Sequence, residues 1–109
     1  MNSATVKKHK EVLCPITRVA TLLSDTWTML IMHVFILEKT EKRFCDLERA
    51  LPGISTRTLT NKLKILESEG LLKKNTSGTY QATKQGLGLT IIEEAMRTYE
   101  SKYLKKKNT

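Results

Sequence analysis

Proline and glycine are scarce in this chain, at 2 and 5 of 109 residues, which excludes collagen-like and Pro/Gly-rich low-complexity architectures. Cysteine occurs only twice, as Cys14 and Cys45. That is too few for a disulfide-built scaffold and the wrong spacing for a zinc site. The two histidines, His9 and His33, stand alone, and there is no glycine-rich phosphate loop. Asp46, Glu48, Glu67 and Glu69 read as solvated helix faces, so no nucleophile, acid and orienter come together and neither an enzyme nor a cofactor or metal is expected. Long apolar runs are missing too. The longest, Met29 to Leu37, is broken by His33 and falls far short of the roughly 20 residues a membrane span needs. The N-terminus lacks the basic, apolar and small-residue succession of an export signal. A cytoplasmic protein with free thiols and no membrane partner is therefore expected.

What is present is apolar enough to pack, at 39% hydrophobic residues, and its length fits one domain over 1–109. Lys and Arg outnumber Asp and Glu by 19 to 11, for a formal charge of +8. Such an excess favours a polyanionic partner, nucleic acid or an anionic membrane. Part of it sits in basic tails, about 1–13 and 104–109, with Lys7, Lys8, Lys10, Lys105, Lys106 and Lys107, and in Lys102 just ahead of the second. Charged tails commonly serve only as solubilising ends, so the interior charges must carry any argument for a site.

Pro15 opens a helix running to about Leu23, because proline suits the first helical position and Ile16, Val19, Ala20 and Leu23 recur at helical spacing. Ser24, Asp25 and Thr26 are cap-type residues ahead of a segment, Trp27 to about Leu37, that is apolar on nearly every face. A helix of that kind has to be buried, in its own domain and against a partner chain. After the polar break Glu38–Lys42, Phe44, Leu47 and Leu51 form one stripe of a short helix ended by Pro52-Gly53. Ser55 caps a longer helix with Leu59, Leu63 and Leu66 on one face and Gly70 at its end. Short helix, tight turn and longer helix make a helix-turn-helix. Leu71 to Thr83 reads as strand, turn and strand. Thr83 is then expected to cap a final helix carrying Ile92, Ala95, Met96, Tyr99 and Tyr103, an apolar stripe that wants a partner. The fold class is mainly α with a small β-hairpin.

With the three leucines inward, about 100° of rotation per residue brings Arg57, Asn61 and Lys64 together on the opposite face, flanked by Thr56, Thr60 and Ser68. Arg and Lys suit guanine or phosphate, and Asn suits adenine, in a major groove. A solvated helix face would hold the same residues. The tight turn before Ser55 and the hairpin after Gly70 favour the DNA reading, with Ser55, Thr56, Arg57, Thr60, Asn61 and Lys64 as candidate contacts and Lys73 and Lys74 of the hairpin as phosphate contacts.

The run Cys14-Pro15, Trp27, Arg43-Phe44-x-x-Leu47, Leu51-Pro52-Gly53-Ile54-Ser55, Leu59-Thr60-x-x-Leu63-x-x-Leu66-x-x-x-Gly70-Leu71, Tyr80 and Thr83-x-x-Gly86 resembles the HxlR family of transcriptional regulators over about Cys14 to Tyr103. The resemblance implies a winged helix-turn-helix homodimer on double-stranded DNA. Its N- and C-terminal helices would form the interface and the Ser55 helix would read the bases. The operator would be a pseudo-palindrome with half-sites one turn, about 34 Å, apart. This chain departs from the family pattern in three places. Ser24-Asp25-Thr26 replaces a glycine-rich stretch with a lysine. The turn Asn75 to Gly78 is shorter than the usual proline-containing wing loop, which puts wing contacts in doubt. Cys45 stands where a small polar residue usually caps the helix, a role Asp46 is placed to take over.

Cys14, just ahead of Pro15, sits where unpaired amides and the helix dipole favour a thiolate, with Lys10 and Arg18 close in sequence. Several members of the family resembled use a cysteine at this position to sense oxidants or electrophiles, which makes Cys14 the redox-sensing candidate. A buried structural thiol is the competing reading. Cys45, between Phe44 and Leu47, reads as packing near the core, and His33 as a hydrogen-bonded core histidine. Two alternatives to a redox-responsive regulator stay open. One is a winged-helix protein-interaction module. The other is a regulator controlled by a small-molecule effector, an apolar ligand held between the dimer helices by Trp27, Met29, Met32 and Tyr99.

Overall fold

The computed structural model describes residues 14–104. The expected basic tails, apart from Leu104, lie outside the described residues. In chain order the elements are α1 (Pro15–Leu22), α2 (Thr26–Glu38), α3 (Phe44–Ala50), α4 (Thr56–Ser68), β1 (Leu72–Lys74), β2 (Tyr80–Ala82), α5 (Lys84–Leu87) and α6 (Thr90–Tyr99). A wider π-helical turn, Glu100–Leu104, prolongs α6. The arrangement is a winged helix-turn-helix.

The central helix is α2. Asp25 starts it by accepting the Thr28 N–H at 2.9 Å and the Thr28 hydroxyl at 3.1 Å, which satisfies a donor the helix leaves unpaired. One side of α2 buries Ile31, Met32, Phe35 and Ile36 in the core, while Leu30 and Leu37 on the other side stay exposed. The apolar girdle read from the sequence is therefore half used within the chain.

Around α2 pack Leu47 of α3 and Leu51 just past its end, Leu59, Leu63 and Leu66 from α4, Leu71 just ahead of β1, and Leu72 and Tyr80 from the hairpin. α3 begins earlier than a cap at Cys45 or Asp46 implies: Arg43 precedes its first turn, and Asp46 lies inside that turn, where it accepts the Arg43 N–H at 2.9 Å, the reciprocal contact of a capping box. Cys45 differs from expectation: it is exposed. Two residues before the fully buried Leu47, it points about 200° away from the core face.

Ser55 caps α4 by accepting the Thr58 N–H at 3.0 Å. At the other end, Gly70 adopts φ +81°, so that its N–H reaches the Glu67 carbonyl at 3.1 Å and the Leu71 N–H reaches that of Leu66 at 2.9 Å. This paired closure of the last turn requires a left-handed residue, which glycine supplies without strain. The chain leaves α4 directly into the wing.

In the wing, β1 and β2 pair antiparallel with Leu72 opposite Ala82 and Lys74 opposite Tyr80. The segment expected to be a plain polar break contributes a third, one-residue rung: Lys42 and Tyr80 exchange two backbone hydrogen bonds of 2.9 and 2.7 Å.

The C-terminal region corrects the single helix expected from Thr83. Thr83 does cap, accepting the Gly86 N–H at 3.0 Å, but the helix it starts is the four-residue α5. Three-residue closures then follow, from the Leu89 N–H to Gly86 and from the Ile92 N–H to Leu89. This tighter winding separates α5 from α6. Along α6, Ile92 packs against the core, while Met96, Tyr99 and, past its end, Tyr103 are more than half exposed, so among the described residues this outer part of the stripe is uncovered.

Candidate nucleic-acid interface

Helix α4 presents two faces of opposite character. Leu59, Leu63 and Leu66 are at most 1% exposed, while Arg57, Asn61 and Lys64 are all exposed and, at i, i+4 and i+7, share one stripe. Ser55 and Thr56 lie at the exposed N-terminal end of that stripe, and Thr60 is half-buried beside it. The threonines serve the helix itself. The Thr56 hydroxyl donates to Glu48 of α3 at 2.9 Å, fixing the angle between the two helices of the motif. The Thr60 hydroxyl donates to the Thr56 carbonyl at 2.8 Å. Ser68 likewise donates to the Ile65 carbonyl. Donors for an outside partner are thus concentrated on Arg57, Asn61 and Lys64.

Lys62 leaves that face. It donates to Asp25 at 2.8 Å, tying α4 to the start of α2, an anchor between residues 37 positions apart that sequence reading missed. Partial burial pushes the Asp25 carboxyl up. The hydrogen bonds from Lys62 and from the Thr28 N–H and hydroxyl outweigh that and hold its pKa below the ordinary value. Because folding lowers this pKa, the stabilisation is present above the ordinary value of 3.8 and is lost as pH falls through the lower folded value. Asp25→Ala is expected to destabilise the fold by about 1 kcal/mol at neutral pH, with Asp25→Asn closer to wild type because it keeps the cap. Urea unfolding at pH 7 and pH 3 checks this, and the gap between Asp25→Ala and wild type should narrow at the lower pH.

The hairpin lysines diverge. Lys73 and Lys74 are both exposed, but the Lys74 ammonium lies 5.5 Å from the centre of the Tyr80 ring, a cation–π distance. Lys73 is therefore the freer of the two.

Cys14 is exposed at the start of α1, which removes the buried-thiol reading. The Thr17 hydroxyl and then the Thr17 N–H favour the thiolate. Against slight desolvation, the Ile16 N–H and the Arg18 charge add to them, and the thiol pKa is lowered from its ordinary value. A larger thiolate fraction means faster attack on electrophiles at neutral pH.

On the far side of α2, the His33 Nδ1 lies 2.9 Å from the carboxylate of Glu93. Glu93 is only 5% exposed, and Arg97 stands 3.7 Å from it. His33 is hydrogen-bonded as expected, but its side chain is 40% exposed, so it lies at the edge of the core. The pair pins α6 to α2. Nothing local marks Glu93 as buried.

Within one protomer the residues read as an apolar ligand site do not line a single hollow. Met32 is fully enclosed in the core. Trp27 lines one hollow, with Leu30, Val34 and Leu51, and Met29 another, with Met96. Tyr99 packs on Tyr103, with ring centres 5.0 Å apart. Among the described residues, no single helix is long and apolar enough to cross a membrane.

Known proteins share this layout. The family model for HxlR-like helix-turn-helix proteins matches residues 22–108. An HTH-type transcriptional regulator of Synechocystis is 40% identical over 63 residues, covering 58% of this chain and 45% of the relative. The HTH-type transcriptional regulator YvaP of Bacillus subtilis is 41% identical over 68 residues, covering 62% and 61%. The chain thus spans about half the length of the curated relatives it matches. Among solved structures, quinone-bound YodB from B. subtilis superposes with a TM-score of 0.76 at 25% identity, over 84% of this chain and 99% of that one. A protein of Thermoplasma volcanium described as a possible HxlR family transcriptional factor gives 0.66 at 30% identity, over 76% and 78%. From the leucine pattern of α4, the wing and the match over residues 22–108, this chain belongs to the HxlR-like helix-turn-helix family.

Proposed function

We propose that the protein is a transcriptional regulator that binds double-stranded DNA as a homodimer, inserting α4 of each protomer into successive major grooves. The observation that carries this reading is the exposed stripe of Arg57, Asn61 and Lys64 on a helix whose other face is locked into the core. The backbone N–H groups of Ser55 and Thr56 at its N-terminal end, whose hydroxyls are engaged within the motif, and Lys73 on the wing stand beside it as phosphate contacts. Dimerisation is supported by exposed apolar side chains on three elements: Ile16 and Val19 of α1, Leu30 and Leu37 of α2, and Ile91, Met96 and Tyr99 of α6. An uncovered set of this extent marks an interaction surface. The protein would act in the cytoplasm, where free thiols persist.

Cys14 makes this regulator responsive to electrophiles. Its thiolate adds to a ring carbon of a quinone, the ring takes up a proton, and a hydroquinone thioether results. The exposed thiol and its lowered pKa support this, as does the likeness to YodB, whose structures include quinone-bound and diamide-treated forms.

Selection of bound sequences from a random duplex pool, with and without benzoquinone, tests both parts. A pseudo-palindrome with half-sites about one helical turn apart is expected, with enrichment reduced by the quinone and insensitive to it in Cys14→Ser. Binding that barely changes between low and moderate salt would instead favour a protein-docking module, because phosphate contacts release counterions.

A further inference from the structure

The short wing has an unusual brace. Its turn closes on itself through the Asn75 N–H to the Thr79 carbonyl at 2.8 Å and the Gly78 N–H to the Asn75 carbonyl at 2.9 Å. Glu41, outside the hairpin and adjacent to the rung formed by Lys42 and Tyr80, then reaches across the turn. Its Oε1 accepts the Thr79 hydroxyl at 2.6 Å and the Asn75 side-chain amide at 3.1 Å, and that amide also donates to the Thr79 hydroxyl at 3.0 Å. One carboxylate oxygen thereby joins both ends of the turn to the segment that leads into α3.

A two-stranded hairpin of three-residue strands is marginal by itself, and flexible lysines on it would lose entropy on every phosphate they touched. We infer that Glu41 is a positioning residue for DNA binding: it holds the wing rigid so that Lys73 is presented at a fixed height beside α4. This rests on the duplex-binding reading above. It also carries an unusual sign. Removing an acidic group from a DNA-binding surface ordinarily raises affinity by lessening repulsion of phosphate, whereas here its loss frees the wing.

The two effects separate through Glu41→Gln and Glu41→Ala. Both remove the charge. Glutamine keeps a carbonyl oxygen for Thr79 and Asn75, while alanine keeps none. Affinity for the selected duplex is expected to stay level or rise in Glu41→Gln and to fall about fivefold in Glu41→Ala. The salt slope of the alanine variant should shrink by about one phosphate contact per protomer. In the free protein, amide exchange at Asn75 and Gly78 should quicken several-fold in Glu41→Ala and stay near wild type in Glu41→Gln. Equal gains in affinity for both variants would overturn the inference, as would unchanged exchange in Glu41→Ala. A wild-type chain that binds no duplex at any salt concentration would overturn the DNA reading itself and with it the role of the brace in binding, and the exchange rates would still show whether Glu41 braces the wing.

Discussion

Replacing Arg57, Asn61 and Lys64 together with alanine is expected to reduce binding of the selected operator to the level of random duplex, a loss of about a thousandfold or more. The three side chains are exposed on one stripe of α4, and in the proposed homodimer each loss is felt in both protomers. Arg57→Ala alone is expected to weaken binding by about 1 to 3 kcal/mol and to relax preference at one base pair of each half-site. Weak, salt-sensitive association should persist in the triple variant, because Lys73 and the basic tails still attract phosphate. The fold should survive. Alanine is a better helix former than the residues it replaces, and the core contacts of Leu59, Leu63 and Leu66 are untouched. Titration of labelled operator and random duplex at two salt concentrations, with helicity checked by circular dichroism, reads all of this. A triple variant that still distinguishes operator from random duplex would remove α4 as the reading helix.

That prediction was available from the chain alone because it depends on local periodicity. The spacing of Leu59, Leu63 and Leu66 fixes which way Arg57 points, and Ser55 and Gly70 delimit the helix by rules that act within a single turn. What escaped the sequence is built from distant pairs. Glu41 and Thr79 are 38 positions apart, Asp25 and Lys62 37, and His33 and Glu93 60, and no local pattern distinguishes these carboxylates from solvated ones. Cys45 shows a different limit: its neighbours Phe44 and Leu47 are apolar, but on a helix sequence neighbours face different ways. Thr83 shows a third. Its capping signal is local and marks a real helix start, but the tighter winding that ends that helix after one turn has no comparable local signature.

Gly86→Ala is expected to destabilise the fold by about 3 kcal/mol, at or beyond the upper end of what an added methyl group costs in a packed core. A Cβ at this position would lie 2.2 Å from the Leu71 carbonyl oxygen, 2.9 Å from the Met32 Cε and 3.1 Å from the Leu71 carbonyl carbon. Methionine can give way, but the carbonyl cannot do so cheaply. It accepts the Thr83 N–H at 3.0 Å and the Thr83 hydroxyl at 3.2 Å, so moving it breaks the junction where α4, the wing and α5 meet. Gly88→Ala is the matched control, since that residue has helical φ and ψ and its Cβ would meet nothing closer than the Gln85 carbonyl at 3.1 Å. Thermal unfolding should show a drop of roughly 10–20 °C for Gly86→Ala and a few degrees at most for Gly88→Ala. Equal midpoints for the two variants would mean that the close approach of α5 to Leu71 is not what holds this junction. If a folded fraction of Gly86→Ala can be recovered, its operator affinity should also fall. Relief of the clash requires α5 to move off Leu71, and α6 follows directly from α5, so a helix proposed to take part in the dimer interface moves with it.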